Sequence, residues 1–155
     1  MSGHLFPTTI DNTYRGHKLA LPVFGLLLFM RLAMSVNSMF NGAAVLTSAD
    51  GVPLDSYPPA AAGTIVALFA LNGLSHLILV VLGILVLVRY RSMIPFMFAL
   101  LLVDQLGRKL ILLLLPIVRV GAPPASRISA ILLGLTATGL ALSLWRRVRS
   151  EQISA

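Results

Sequence analysis

Charged residues in the middle of an apolar stretch are the part of this sequence most able to do chemistry. Residues 104–109 read Asp-Gln-Leu-Gly-Arg-Lys, with eleven mostly apolar residues before them and eight after them. Neither flank alone reaches the roughly 20 residues that a helix needs to cross a bilayer, so together they predict one membrane span with charges near its centre. Because charges are costly at that depth, they indicate a functional site.

The composition is that of an integral membrane protein. The chain has 155 residues, of which 57% are hydrophobic and 11% charged, whereas soluble domains carry about 25% charged residues. We expect a single membrane domain over residues 1–155. The absence of cysteine excludes disulfides and cysteine-ligated metal. The net charge of +7 lies mostly beside the apolar runs and lacks interleaved aromatic residues, so nucleic acid is not an expected partner.

Four apolar segments predict an all-α, polytopic bundle of four transmembrane helices, over about 19–40, 60–88, 92–118 and 125–145. A β-barrel is excluded because these runs far exceed about 10 residues and do not alternate. The third span is marginal: fifteen Leu, Ile, Phe and Val residues supply roughly −5 to −9 kcal/mol, and its three charges cost roughly 8 to 10. It therefore needs neighbours that satisfy its charges. The alternative is a break at Gly107 that leaves two half-spans.

Lysine and arginine in the flanks predict the orientation. Only two basic residues, Arg119 and Arg127, flank the spans on the side that becomes external if the N-terminus is cytoplasmic. The internal flanks hold seven, which are Arg15, Lys18, Arg89, Arg91, Arg146, Arg147 and Arg149. This excess predicts that both termini face the cytoplasm. Residues 1–18 do not form a cleavable leader, so we expect the first span to be a permanent anchor.

Polar residues on three of the predicted helices share one depth. Arg31, His76 and Asp104 each lie twelve residues from the cytoplasmic end of their span, which places them roughly 18 Å deep in a core of about 30 Å. Asn72 lies four residues before His76, and Arg108 four after Asp104, so each pair shares a helix face. The five residues predict a buried polar pocket at mid-membrane.

The chemistry of such a pocket follows from its charges. We expect Asp104 to pair with Arg31 or Arg108, and His76 to carry a proton or donate to a ligand carbonyl. Counting Lys109, the layer has a net charge of +2 with neutral histidine, which suits an anionic or carbonyl-bearing ligand such as a lipid head group or a quinone. The alternative is a self-satisfied polar network that fixes the register of the helices.

Other features of the sequence limit the candidate functions. The fourth helix offers a small-residue face that we expect to pack closely, formed by Ala130, Gly134, Thr138 and Ala141. We find no nucleophile elbow, no phosphate-binding glycine loop and no metal-type cluster, and therefore predict no catalytic residues and no metal. Haem with two histidine ligands would require His76 to pair across a dimer.

The chain resembles small four-helix bacterial membrane proteins of the DoxX-like kind. The similarity lies in its size, its four-span layout with an internal N-terminus, and Arg31 in the first helix, followed at 32–41 by Leu-Ala-Met-Ser-Val-Asn-Ser-Met-Phe-Asn. This resemblance implies a bacterial inner (cytoplasmic) membrane and a link to quinone-coupled redox chemistry. It carries over no catalytic residue.

The sequence favours a non-enzymatic binding or accessory subunit with its pocket at Arg31, Asn72, His76, Asp104 and Arg108. One alternative is a quinone-linked redox subunit, with quinone as the candidate cofactor. Another is a small proton-coupled transporter acting as an oligomer, in which Asp104 or His76 titrates. The expected partners are the lipid bilayer and either another membrane protein or further copies of this chain.

Overall fold

The computed structural model describes residues 10–14, 16–121 and 124–145. In these ranges the regular structure is helical and there is no strand, which confirms the all-α prediction. Two short 3-10 turns, Leu54–Ser56 and Arg91–Met93, lie in the connections. The α-helices are α1 (Ala20–Phe40), α2 (Gly42–Ser48), α3 (Pro59–Arg89), α4 (Ile94–Leu114) and α5 (Pro124–Leu144).

Prolines set several helix boundaries. Pro59, Pro95 and Pro124 lie in the first turns of α3, α4 and α5, where a missing N–H has no partner to lose. α4 ends at Leu114, short of the predicted 118, because Pro116 forces the residue before it out of the helical region.

The charged helix α4 is continuous. It runs for 21 residues through Gly107 without interruption, so the alternative of two half-spans is wrong. Among the described residues, three helices are long and apolar enough to cross a membrane, namely α1, α3 and α5. The chain thus has the helices of a membrane protein. α4 has the same length as α1 and α5 but carries three charges, and its membrane crossing stays a prediction.

The four long helices pack in a ring in chain order. α1 packs against α3 and α5, and α4 packs against the same two helices, so α1 and α4 lie diagonally across the ring. The diagonal is bridged by long side chains. The rings of Phe24 on α1 and Phe98 on α4 meet at 4.9 Å between centroids with a 57° tilt, a geometry typical of favourable aromatic pairs.

We call the end where α1 begins the base of the bundle, and the opposite end the top. The lower half is solidly packed: Phe24, Leu27, Phe98 and Leu101 are fully buried in one cluster. A Cβ added at Gly139 of α5 would collide with the ring of Phe98, so this glycine lets the ring lie against the α5 backbone. The diagonal contact therefore depends on a missing side chain.

The face of α5 that packs differs from the predicted one. Thr136 is fully buried on the observed face, which consists of Leu132, Thr136, Gly139 and Ser143. The predicted small-residue face is exposed throughout, at Ala130, Gly134, Thr138 and Ala141. The prediction was wrong for packing within this chain, because α5 carries small residues on two faces and the ring of Phe98 selects the one with Gly139.

The N-terminal segment closes the base. The Ser92 hydroxyl donates to the Asp11 carbonyl at 2.9 Å, and the His17 N–H donates to the Leu142 carbonyl at 3.2 Å. Tyr14, between them, packs against the core cluster. The segment is thus tied both to the α3–α4 connection and to the end of α5.

At the top, the segment after α2 is joined to the start of α5 and to the segment that precedes it. The Val120 N–H donates to the Gly51 carbonyl at 2.8 Å, and the Ala125 N–H donates to the Ala49 carbonyl at 3.1 Å. Gly51 and Gly121 have positive φ values of 70° and 76°, which glycine adopts without steric cost. These two backbone hydrogen bonds hold the two segments together.

Candidate functional site

Asp104 lies between two guanidinium groups. Arg31 Nη1 on α1 donates to Asp104 Oδ2 at 3.2 Å, and Arg108 Nη2 donates to Asp104 Oδ1 at 2.5 Å. The sequence left open which arginine pairs with Asp104, and in the structure both do. Arg31 is the more buried of the two, with 7% of its side chain exposed against 32% for Arg108.

Arg108 extends the network to α3. Its Nη1 donates to Asn72 Oδ1 at 3.0 Å, and its Nη2 lies 3.1 Å from His76 Nδ1. A guanidinium can only donate, so His76 Nδ1 accepts and the neutral ring carries its proton on Nε2. Asp104 Oδ2 is 3.9 Å from the same Nδ1. The structure therefore brings all five predicted site residues into one network, but Asn72 is exposed and not buried as predicted. Whether the five residues bind a ligand stays a prediction.

The network requires α1 and α3 to approach closely. A Cβ added at Gly73 of α3 would lie 3.2 Å from the Ser35 carbonyl and 3.1 Å from atoms of Ser38 and Met39. Gly73 therefore lets the α3 backbone lie against α1 one residue after Asn72. The Ser35 hydroxyl donates to the Arg31 carbonyl at 2.7 Å, so this buried serine is satisfied within its own helix.

The predicted site residues did not include Gln105 and Thr136, a buried polar pair that lies at the level of Asp104. Gln105 Nε2 on α4 donates to Thr136 Oγ1 on α5 at 2.7 Å, and Thr136 donates to the Leu132 carbonyl at 2.7 Å. Gln105 is 8% exposed and Thr136 is fully buried. The sequence contains a signal for Gln105, because this polar residue directly follows Asp104 in an apolar stretch. The prediction considered only its charged neighbours and omitted it. With this bond, polar contacts at the level of Asp104 involve all four long helices.

Two buried atoms at this level have no partner among the described residues. Arg31 Nε, a donor, and Gln105 Oε1, an acceptor, make no hydrogen bond there. Arg31 is 6% and Gln105 8% exposed. Both atoms are enclosed by the protein. Buried groups without a partner cost free energy, so the network has one unsatisfied donor and one unsatisfied acceptor.

The upper half of the bundle contains a cavity that is partly open to the outside. A cavity of about 630 Å³, which we call the upper cavity, reaches from the polar network to the segments at the top. Its floor includes Arg31, His76, Gln105 and Arg108. Its walls are mostly apolar, with Leu46, Phe69, Ile111, Leu112, Ile128 and Leu132 among them.

The floor of the upper cavity carries one net positive charge. Arg31 and Arg108 contribute two positive charges, and His76 is neutral. Asp104 does not itself line the cavity, but it pairs with both arginines and contributes one negative charge. Lys109 is exposed and is not among the lining residues, so it does not add to the floor. The expected net charge of +2 is therefore +1 at the cavity.

Asp50 and Arg119 line the top of the upper cavity. Burial raises the pKa of the Asp50 carboxyl, and attraction to Arg119 partly opposes this rise. At the base, burial raises the pKa of Tyr14 to about 12, and its hydroxyl finds no hydrogen-bond partner in the described part of the chain.

Basic residues of the predicted cytoplasmic flank lie at the base. Lys18, Arg89 and Arg91 are exposed there. Arg15, Arg146, Arg147 and Arg149 of the same prediction lie outside the described residues. Within residues 10–14, 16–121 and 124–145, no group of three or more histidine, aspartate or glutamate side chains could hold a metal ion.

No family model, curated protein or solved structure matches the chain. The resemblance to DoxX-like proteins therefore stays a prediction from the sequence. The network and the upper cavity are the features of the described residues that bear on function.

Proposed function

We propose that the chain is a non-enzymatic binding subunit of the bacterial inner membrane, which takes a small amphipathic ligand into the upper cavity. The observation that carries this proposal is a cavity with apolar walls and a cationic, hydrogen-bonding floor. Binding sites for small molecules are concavities of about 300–1,000 Å³ with mostly apolar linings and a few placed polar groups. The upper cavity has this size and this lining.

The polar network favours a ligand with an anionic or carbonyl head. Arg31 and Arg108 exceed Asp104 by one positive charge, and the apolar walls beside the floor strengthen its attraction for an opposite charge. Arg108, Asn72, His76 and Asp104 hydrogen-bond to one another in part. The apolar cavity above them favours the binding interpretation, because a device that only fixes helix register needs no cavity.

In this proposal α4 is the fourth membrane span. Its charges become tolerable because Asp104 pairs with Arg108 on the same helix and with Arg31 on α1. Four antiparallel spans leave both termini on one side, and the exposed basic residues at the base make that side cytoplasmic. The chain has no cysteine, so single cysteines report topology cleanly. Cysteine at Ser48 should react with an impermeant thiol reagent in intact cells and cysteine at Ser154 should not; the reverse pattern would invert the orientation.

The binding proposal is tested by extracting small molecules from protein purified in mild detergent and identifying them by mass spectrometry. His76→Phe should abolish the co-purifying ligand and leave the melting temperature close to wild type, because the ring fills the same space. Ser75→Phe, the same change at the exposed neighbouring residue, should retain the ligand. Destabilisation of His76→Phe with full retention of the ligand would identify His76 as scaffold and contradict the proposal.

A quinone-linked redox subunit is the second candidate. It is favoured by the tautomer of His76, whose Nε2–H is a donor for a carbonyl oxygen in the same cavity as two arginines. Such a subunit should release an extractable quinone that His76→Phe loses. A proton-coupled transporter has less support, because protonation of Asp104 would break both of its ion pairs.

A further inference from the structure

We propose that the upper cavity opens sideways into the bilayer, between the upper halves of α3 and α4, and that its ligand enters from there. This inference rests on the proposed binding function and specifies the source of the ligand, which is an amphiphile dissolved in the membrane. It follows from the way α4 separates from the bundle, from the bonds that join α4 to its neighbours, and from the closure of the top.

α4 separates from the other helices above the polar network. In its lower half, Phe98 and Leu101 are fully buried in the core. Leu112 lies on the same face as Leu101, three turns higher, yet it is 40% exposed and lines the upper cavity. Residues 109–118 are all exposed. The core-facing side of α4 therefore borders a packed core in its lower half and the cavity in its upper half.

The bonds that join α4 to its two neighbours differ in exposure. On the α5 side, Gln105 donates to Thr136, and both residues are buried. On the α3 side, Arg108 donates to Asn72 through a hydrogen bond that is exposed. The gap above this bond therefore lies between α3 and α4. We call it the side opening, and Asn72, Arg108 and Ile111 border it and line the cavity.

The top of the upper cavity is lined by segments that are joined to each other. Ala49 and Asp50, directly after α2, line it together with Ala125 at the start of α5. The Ala125 N–H donates to the Ala49 carbonyl, and the Val120 N–H donates to the Gly51 carbonyl, so backbone lies across this end. The joined segments favour the side opening over the top as the route of entry.

The side opening lies at a depth where lipid chains surround the protein. Arg108 is six residues below Leu114, the last residue of α4, which corresponds to about 9 Å along the helix. In the proposed arrangement of four spans this depth is inside the hydrocarbon core. Residues 110–115 of α4 are all leucine or isoleucine, and Leu68 and Leu71 are exposed on α3. The ligand that fits this route is an amphiphile taken up from the bilayer, with its head at the polar network.

The test measures which quenchers reach a tryptophan in the cavity of the full-length chain in liposomes. Trp145 is the single tryptophan of the sequence, so Trp145→Phe provides a background without tryptophan. Phe69→Trp then places a reporter on the cavity wall, and Phe24→Trp places one in the packed lower half. Phe69 lies seven residues above His76 and Phe24 seven below Arg31, so both are about 10 Å from the level of the network.

We expect lipid chains to reach the cavity reporter. Phosphatidylcholine with brominated acyl chains should quench Phe69→Trp nearly as strongly as Leu71→Trp, a reporter on the exposed side of α3, and Phe24→Trp much less. Acrylamide, a neutral quencher dissolved in water, should quench Phe69→Trp no more than Phe24→Trp. Leu112→Trp gives a second reporter on the α4 wall of the cavity, which keeps the test valid if Phe69→Trp fails to fold.

The outcomes separate this inference from the binding function. Strong quenching of both cavity reporters by acrylamide would mean that the cavity opens to water, which would refute entry from the bilayer and leave the binding function standing. Equal quenching of Phe24→Trp and Phe69→Trp by brominated chains would also overturn the side opening, because the bromine would then act through a packed wall. Protection of both cavity reporters from both quenchers would mean that nothing reaches the cavity, and would refute both proposals.

Discussion

Replacing Asp104 with leucine removes the carboxylate that pairs with both guanidinium groups. Arg31 then keeps its charge in a position where only 7% of its side chain is exposed. Removing one partner of a buried pair costs about 3–5 kcal/mol, because the other charge is left uncompensated. Arg108, with 32% of its side chain exposed, can reorient toward the upper cavity. Most of the loss should therefore come from Arg31.

The expected change is large enough to measure by thermal unfolding in mild detergent, followed by circular dichroism. In a chain of this size about 1 kcal/mol lowers the melting temperature by roughly 2–4 °C, so Asp104→Leu should lower it by roughly 6–20 °C. Adding Arg31→Leu should restore most of the loss, because it removes the stranded charge. Adding Arg108→Leu should restore less. Lys109→Leu, the exposed control, should change the stability by less than about 0.5 kcal/mol.

Three results would refute this reasoning. Additive effects in the double variant would show that Arg31 and Asp104 do not interact. Better rescue by Arg108→Leu than by Arg31→Leu would contradict the ranking by burial. An unchanged melting temperature for Asp104→Leu would mean that both guanidinium groups are solvated, and the network would then contribute no paired charge to the fold.

Three further predictions concern the packing of α5 and two groups outside the helices. Gly139→Ala should cost about 1–3 kcal/mol in thermal unfolding because its Cβ meets the buried ring of Phe98, whereas Gly134→Ala, with open space around it, should cost nothing. Ionisation of Tyr14, measured as the tyrosinate absorbance that Tyr14→Phe loses, should occur near pH 12. The stability that protonated Tyr14 contributes is complete below pH 10 and is lost as the pH rises through about 12. Ionisation near pH 10 would contradict the burial of Tyr14. Asp50, whose pKa is raised, likewise contributes stability at low pH that is lost as the pH rises through its folded pKa, so Asp50→Asn should stabilise the protein at neutral pH and remove this dependence from acid unfolding curves.

The depth of the polar residues could be predicted from the sequence, but their pairing could not. Counting residues along an apolar helix gives depth directly, because the rise per residue is constant. Arg31, His76 and Asp104 accordingly meet in one network. Arg108 pairs with Asp104 within α4, but whether Arg31 also reaches Asp104 depends on how α1 and α4 are rotated and on their diagonal placement. Neither quantity can be derived from spacing alone.

The packing face of α5 and the upper cavity show a second limit of prediction from the sequence. Small residues at Gly134 and Gly139 give similar patterns, and only the ring of Phe98, carried by another helix, distinguishes them. A cavity forms where side chains from several helices do not meet, so no single segment encodes it. Gln105 was predictable in principle, since any polar residue in a span needs a partner, but its partner Thr136 lies 31 residues away on α5.

The two residues of the Arg31–Asp104 pair are synthesised at different times. Arg31 leaves the ribosome 73 residues before Asp104. At about 5–20 residues per second, this separation corresponds to roughly 4–15 s in which Arg31 has no counter-ion. In the proposed arrangement of four spans, the long side chain of Arg31 can reach lipid phosphates during that interval by bending toward the membrane surface. We then expect the nascent α1 to lie at a shallower depth until α4 arrives.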